Sequence, residues 1–222
     1  MRVSLIIVRF SISKAMLLYK YRSIQRIEHL LDILLNERLY CAEYFALNDP
    51  FEGQFRAIVP DLDFFYTLQP KRRTVPMDIA NLPLEPTKVR VCSLSRDPSD
   101  VRLWSLYADG HKGVAIEIDF AGIEASLIEV KYRTPLPEFG TTILAGTSAE
   151  EVLGYKTDHW KYEQEYRVIT DQPHVSIQGR VKRVVFGVRT PVEIADLLSK
   201  VRPKEIAYVH ASLDHSGLLV RT

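Results

Sequence analysis

Residues 88–120, KVRVCSLSRDPSDVRLWSLYADGHKGVAIEIDF, read as strand, turn, short helix, turn and strand. Lys88 to Ser95 alternates, with Val89, Val91 and Ser93 on one side, as a strand with one covered face requires. Asp97 then offers an N-cap, Pro98 suits the first helical position, and Asp100 stands at N3, where its carboxylate completes a capping box. Trp104 and Tyr107 share one face of that helix, and Asp109–Gly110 stops it. From Val114 the period returns to two. Val114, Ile116, Ile118 and Phe120 point one way and Ala115, Glu117 and Asp119 the other, which predicts a half-buried strand.

The same periods extend outward. Leu17 to Arg22, LLYKYR, sets Tyr19 and Tyr21 on one strand face and Lys20 and Arg22 on the other. Ser23 can cap a helix in which Ile24, Ile27, Leu30, Leu31, Leu34 and Leu35 form a core-facing stripe. Asn36 to Arg38 closes that helix and Leu39 to Cys41 is a brief strand. In FALNDPFEG, residues 45–53, Asn48 and Asp49 can bond back to the backbone while Pro50 fixes φ; Phe45, Leu47 and Phe51 predict a turn packed inward. Residues 54–88 read as a long irregular connection punctuated by prolines, with a short helix at Asp61 to Leu68 and a solvated basic cluster at Lys71, Arg72 and Arg73. Ala125 to Tyr132, Val181 to Gly187, Glu205 to His210 and Leu218 to Val220 are predicted strands. Thr141 to Val152 and the segment after Pro191, with Ile194, Leu197 and Leu198, are predicted helices. No repeat or linker divides the chain. One α+β domain over residues 1–222 is expected, with a mixed or antiparallel, split β core and about four helices.

Composition narrows the classes. Apolar residues make up 46% and charged residues 26%, an ordinary soluble balance. Lys and Arg number 29 against 28 Asp and Glu, so bulk charge gives no drive toward nucleic acid. The opening MRVSLIIVRF has too short an apolar run to span a membrane and no convincing cleavage region, so a cytoplasmic protein is expected; residues 3–12 read as a short strand or a poorly ordered leader. Cys41 and Cys92 cannot form a disulfide scaffold and are expected as buried thiols. His29, His159, His174, His210 and His215 are scattered without cysteine partners, which sets zinc aside; no metal site is expected.

The chemistry concentrates in KTDHWKYEQEYRVI, residues 156–169. If Glu163 to Ile169 is extended, Glu163, Glu165 and Arg167 share one face and Tyr162, Gln164, Tyr166 and Val168 the other. Such a row of charges needs solvent, partners or a chemical task. Cross-strand pairing on an open sheet face is the plainest account. The accompanying Trp160, Tyr162 and Tyr166 argue against a featureless solvent face.

YKYRS at 19–23, LNDPFEG at 47–53, CSLSRDPSDVRLWSLYADGHKGVAIEID at 92–119, KTDHWKYEQEYRVI at 156–169 and VVFG at 184–187 occur in the order of, and together resemble, the bacterial family catalogued as domain of unknown function 2971. The resemblance covers nearly the whole chain. Its pattern falls on Arg22; on Asn48, Asp49, Pro50 and Phe51; on Trp104, Tyr107, His111 and Gly113; and on Lys156, Trp160, Glu163, Glu165 and Arg167. Leu94 stands where the family often has an aromatic, a change of packing more than of chemistry.

The layout is also similar to that of ADP-ribosyltransferases, which hold NAD in a cleft of a split α+β core. That similarity implies Arg22 as a pyrophosphate partner, Ser93 or Ser95 on a middle strand, and Glu163-Gln164-Glu165 as the acidic motif. Glu165 would bond the ribose and stabilise oxocarbenium-like charge, with Glu163 orienting the acceptor. His111, at the mouth of a strand, suits proton transfer. NAD as substrate and a nucleotide or small-molecule ligand follow from this reading. Arg22, Asn48, Asp49, Ser93, Ser95, Trp104, Tyr107, Lys156, Trp160 and Arg167 then line the binding cleft and Glu165, Glu163 and His111 act in it. Two alternatives stand beside it. A partner-binding module would use Arg22, Trp104, Tyr107 and Trp160 as a recognition surface. A magnesium-dependent nuclease or phosphoesterase would draw on Asp49, Glu52, Glu117 and Asp119, with Glu129-Val130-Lys131 as its Glu-x-Lys arm.

Overall fold

The computed structural model describes residues 15–60, 72–81, 89–123, 126–140, 148–215 and 217–220. The expectations for residues 3–12, Asp61 to Leu68 and Lys71 lie outside these. At the centre is an eight-stranded mixed sheet. Its strands, in chain order, are β1 (Leu17–Arg22), β2 (Ala42–Glu43), β3 (Arg90–Ser95), β4 (Val114–Asp119), β5 (Ile128–Glu129), β6 (Glu165–Thr170), β7 (Val181–Phe186) and β8 (Ala207–His210). They lie in the order β8-β7-β4-β1-β3-β6-β5, with β2 added beside β3. β7 and β8 run parallel, and the other pairs are antiparallel. Four α-helices fall among the described residues: α1 (Ile27–Asn36), α2 (Val101–Tyr107), α3 (Ala149–Leu153) and α4 (Val192–Leu198). The α+β class is borne out, as are the strands read at residues 17–22, 114–120 and 181–187 and, over its described residues, the one read at 88–95.

One face of the sheet is continuous. Leu18, Cys92, Leu94, Ile116, Ile118, Val168, Val184 and Phe186 pack against Leu30, Ile33 and Leu34 of α1 and Ala195 and Leu198 of α4. The opposite face is divided. Tyr19, Tyr21, Ala115 and Val185 meet Leu103 and Trp104 of α2. Val91 and Ile169 meet a cluster of Phe55, Ala57, Ile79, Val152 and Leu153, beneath α3 and a separate three-stranded sheet of Gln54–Pro60, Arg72–Asp78 and Glu138–Gly140. The charged residues of β6 emerge on this divided face.

Several local expectations are corrected. β4 is buried on both faces, because α2 covers the side assigned to solvent. Glu117 is therefore buried, accepting from the Tyr19 hydroxyl at 2.7 Å and pairing with Arg183. The cap of α2 is Asp100, whose carboxylate takes the Arg102 N–H. Asp97 instead closes a turn on Ser99, and Pro98 stays outside the helix with its carbonyl on Trp104 Nε1. Ser23 caps a 3-10 turn at Ile24–Arg26, and this turn resets the phase of the following helix. Leu30, Ile33 and Leu34 are consequently buried while Leu35 is exposed. On α4 the inward residues are Ala195 and Leu198, with Leu197 exposed.

Arg72–Asp78, read as irregular, is an edge strand paired with Gln54–Pro60, a position that tolerates Pro76. The predicted strand at Ala125 to Tyr132 is two short strands, broken where Val130 N–H turns to Glu165 O. The helix expected to end at Val152 starts at Ala149 behind a Ser148–Glu151 capping box; residues 141–147 are outside the description. No helix among the described residues is long and apolar enough to cross a membrane.

Candidate functional site

β1 keeps a six-residue ladder with β4 but stands opposite β3 at one place, Tyr19 facing Ser95. Past that pair the two strands part. Farther along the same edge of β3, Val91 and Arg90 are paired instead with Ala42 and Glu43 of β2. Cys92 to Leu94 therefore face a gap in the sheet. Lys20 reaches into it and donates to the Ser93 carbonyl at 2.7 Å. Arg22 is three residues beyond the joint, about 10 Å along the strand at ~3.3 Å per residue.

A cavity of about 440 Å³ occupies this split. Its lining includes exposed Arg26, His29 and Tyr40 and half-buried Arg22 and Ser23; its floor includes buried Ser95, Lys156, Glu163 and Glu165, with Ser93 beside them. Asn48 and Tyr107 form part of one wall. Arg22 makes no side-chain hydrogen bond or ion pair among the described residues, and its Nε is buried without a partner. Burial holds Arg22 and Lys20 below their usual pKa values, as expected for cations short of counter-charge.

The floor is an ion network. Arg167 is fully buried. Its Nε donates to Glu165 at 2.8 Å, its Nη1 to Glu52 at 2.5 Å and to the Leu153 carbonyl at 2.6 Å, and its Nη2 to Glu52 at 2.8 Å and Glu165 at 3.1 Å. All five guanidinium protons are thus engaged. Lys156 Nζ bridges Glu163 at 2.7 Å and Glu165 at 2.9 Å, and lies 4.9 Å from the centre of the Trp160 ring. Burial opposes ionisation of Glu165, yet Arg167 and Lys156 hold its carboxyl down to about 2. Burial likewise opposes charge on Lys156, but Glu165 and Glu163 keep its pKa above the usual value. At Glu52 desolvation prevails and the pKa is raised.

The Glu-x-Glu segment is built differently from the extended reading. Glu163 ends a 3-10 helix, Asp158–Glu163, and Gln164 is left-handed at φ 42°, so β6 begins at Glu165. The two glutamates still converge, because the turn brings both onto Lys156. Ser95 Oγ fixes that turn by donating to the Glu163 carbonyl at 2.7 Å. The Tyr107 hydroxyl donates to Glu163 at 2.6 Å while accepting from Asn48 Nδ2 at 2.7 Å. Burial and the neighbouring Glu163 push the Tyr107 pKa up.

Of the residues expected in the site, Arg22, Asn48, Ser93, Ser95, Tyr107, Lys156, Glu163 and Glu165 line this one cavity. Trp104, His111, Asp49, Trp160 and Arg167 do not. Trp104 is fully buried, edge-on to Tyr21. His111 stacks on Trp104 in a left-handed turn at φ 71°, with its carbonyl taking the Arg189 N–H. Burial, with Arg189 nearby, lowers the His111 pKa; the residue anchors a turn away from the cavity. Asp49 Oδ1 receives the Phe51 N–H and thereby shapes the turn that delivers Glu52. That turn reverses the packing expected of it: Asp49 and Glu52 are buried, and Phe45 and Phe51 are exposed.

Glu52 is the site residue that the pyridine-nucleotide reading missed. A pair spanning 115 positions leaves no local pattern, although a glutamate in an ordered turn was a visible hint. The magnesium arrangement does not assemble. Glu52 belongs to Arg167, Glu117 to Arg183, and Asp119 receives Met16 and Ala121 N–H groups; no group of three potential metal ligands occurs among the described residues. Comparison with family models, curated proteins and solved structures returned no match to this chain.

Proposed function

We propose that this protein binds a dinucleotide of the NAD type in the split between β1 and β3 and cleaves its nicotinamide–ribose bond. The observation that carries the reading is the polarity of the cavity. The cavity is lined both by an arginine that has no counter-ion among the described residues and by a carboxylate pair held on one lysine. Arg22 is suited to a pyrophosphate, which a guanidinium grips in bidentate fashion. The carboxylates suit ribose hydroxyls and the positive charge that grows on C1′ as nicotinamide departs. A carboxyl at about 2 is a weak base and a dependable fixed negative charge, so Glu165 fits electrostatic stabilisation rather than proton abstraction. The ADP-ribosyltransferase-like layout read from the sequence agrees with this proposal.

The test is direct. Purified protein is titrated with NAD in a calorimeter and nicotinamide release is followed, with Arg22→Ala in parallel. Binding that is lost in Arg22→Ala, with nicotinamide formed by the wild type, supports the reading. Absence of both binding and release overturns it. A second reading, a binding module, draws on the exposed Phe45, Phe51 and Leu106 beside cavity-lining Ala46, Leu47 and Tyr107. NAD binding without turnover would favour it.

A further inference from the structure

We propose that Glu163, and not Glu165, is the carboxylate that receives the ribose hydroxyl of the ligand, an assignment that rests on the dinucleotide reading above. A carboxylate offers about four lone-pair sites. Glu165 uses about three of its own within the protein: Arg167 Nε occupies Oε1 at 2.8 Å, and Arg167 Nη2 and Lys156 Nζ occupy Oε2 at 3.1 and 2.9 Å. About one site is left, on the oxygen that already faces Arg167 Nε. Glu163 accepts from the Tyr107 hydroxyl on Oε1 at 2.6 Å and from Lys156 on Oε2 at 2.7 Å. About two of its sites remain, and the residue lines the cavity.

Its surroundings suit that task. Ser95 holds the Glu163 carbonyl, and the Arg96 N–H holds the carbonyl of left-handed Gln164 at 3.1 Å, so the backbone bearing the carboxylate is fixed. Asn48 donates to the Tyr107 oxygen, which turns the hydroxyl proton toward Glu163. Tyr107 is therefore a positioning residue, and Arg167 and Lys156 keep the second carboxylate as a stationary charge. In hydrolysis the bond from C1′ to the pyridinium nitrogen breaks and its electron pair leaves with neutral nicotinamide. Water supplies the new C1′–O bond and loses one proton to solvent. Charge growing at C1′ makes the neighbouring hydroxyl a stronger donor, so its bond to Glu163 tightens toward the transition state.

Nicotinamide release from NAD and NAD affinity are measured for the wild type, Glu163→Gln and Tyr107→Phe. Glu163→Gln is expected to lose about 100-fold or more in kcat with NAD still bound. Tyr107→Phe is expected to lose about tenfold in kcat at an unchanged KM, a split that a merely structural tyrosine would not give. Wild-type kcat in both variants overturns the assignment. A wild type that neither binds nor cleaves NAD overturns the dinucleotide reading itself, a separate result.

Discussion

Arg167 and Glu52 meet 115 positions apart in the chain, through two parallel hydrogen bonds of 2.5 and 2.8 Å, with the arginine fully buried. The pair ties β6 to the turn at residues 48–53. Glu52→Ala leaves the guanidinium with Glu165 as its remaining carboxylate partner. A loss of about 1–3 kcal/mol in urea unfolding is expected, since two buried guanidinium N–H groups lose their acceptors while Glu165 still balances the charge. An unfolding midpoint equal to wild type would show that the pair does not hold the turn.

Glu165 gives the network a pH signature. Its carboxyl lies at about 2 in the folded protein against an ordinary 4.5. A depressed folded-state value adds stability above about pH 4.5 and loses it as pH falls toward about 2. The stability gap between wild type and Glu165→Gln is therefore expected to narrow over that window. A gap constant from pH 5 to about 2 would contradict the locked, ionised carboxylate.

Gly53 follows Glu52 with φ 77°, and a Cβ there would stand 2.9 Å from the Tyr44 ring. Gly53→Ala is expected to cost about 1–2 kcal/mol from the left-handed backbone alone, with the ring contact adding to it. Thermal unfolding reads the effect directly.

Arg22 is expected to act on affinity rather than stability, because it has no protein partner to lose among the described residues. Arg22→Ala should weaken ADP-ribose binding by about 1.5–3 kcal/mol, roughly 10- to 150-fold, with the melting temperature nearly unchanged. Gly113 bears on the same residue: a Cβ there would lie 2.2 Å from the Arg22 carbonyl, so Gly113→Ala should displace the end of β1 and weaken the same ligand.

Much of the sheet was legible because β1, β3 and β4 carry period-two patterns and β7 a short apolar run, all of which local sequence records. What covers each strand was less so. Ala115 and Glu117 looked like a solvent face, and nothing near them announces that α2 will lie above. The candidate site was legible as a group of residue types, with Arg22, Asn48, Tyr107, Lys156, Glu163 and Glu165 brought to one cavity. Its internal division was hidden. Gln164 gives no pattern that marks its left-handed turn, and the occupation of Arg167 depends on Glu52 and the Leu153 carbonyl from elsewhere in the chain. Trp104 and His111 were misread because a conspicuous aromatic near a turn looks alike whether it faces a ligand or a core.

β2 occupies the edge of β3 at Arg90 and Val91 where β1 would otherwise continue. Continued from Tyr19–Ser95, the ladder would set Lys20, Tyr21 and Arg22 opposite Leu94, Ser93 and Cys92, so β2 bounds the far end of the gap without filling it. In amide hydrogen exchange, the β1 amides turned toward β4 should be long-lived, and those turned toward the gap beyond Tyr19 should exchange fast until a ligand fills it.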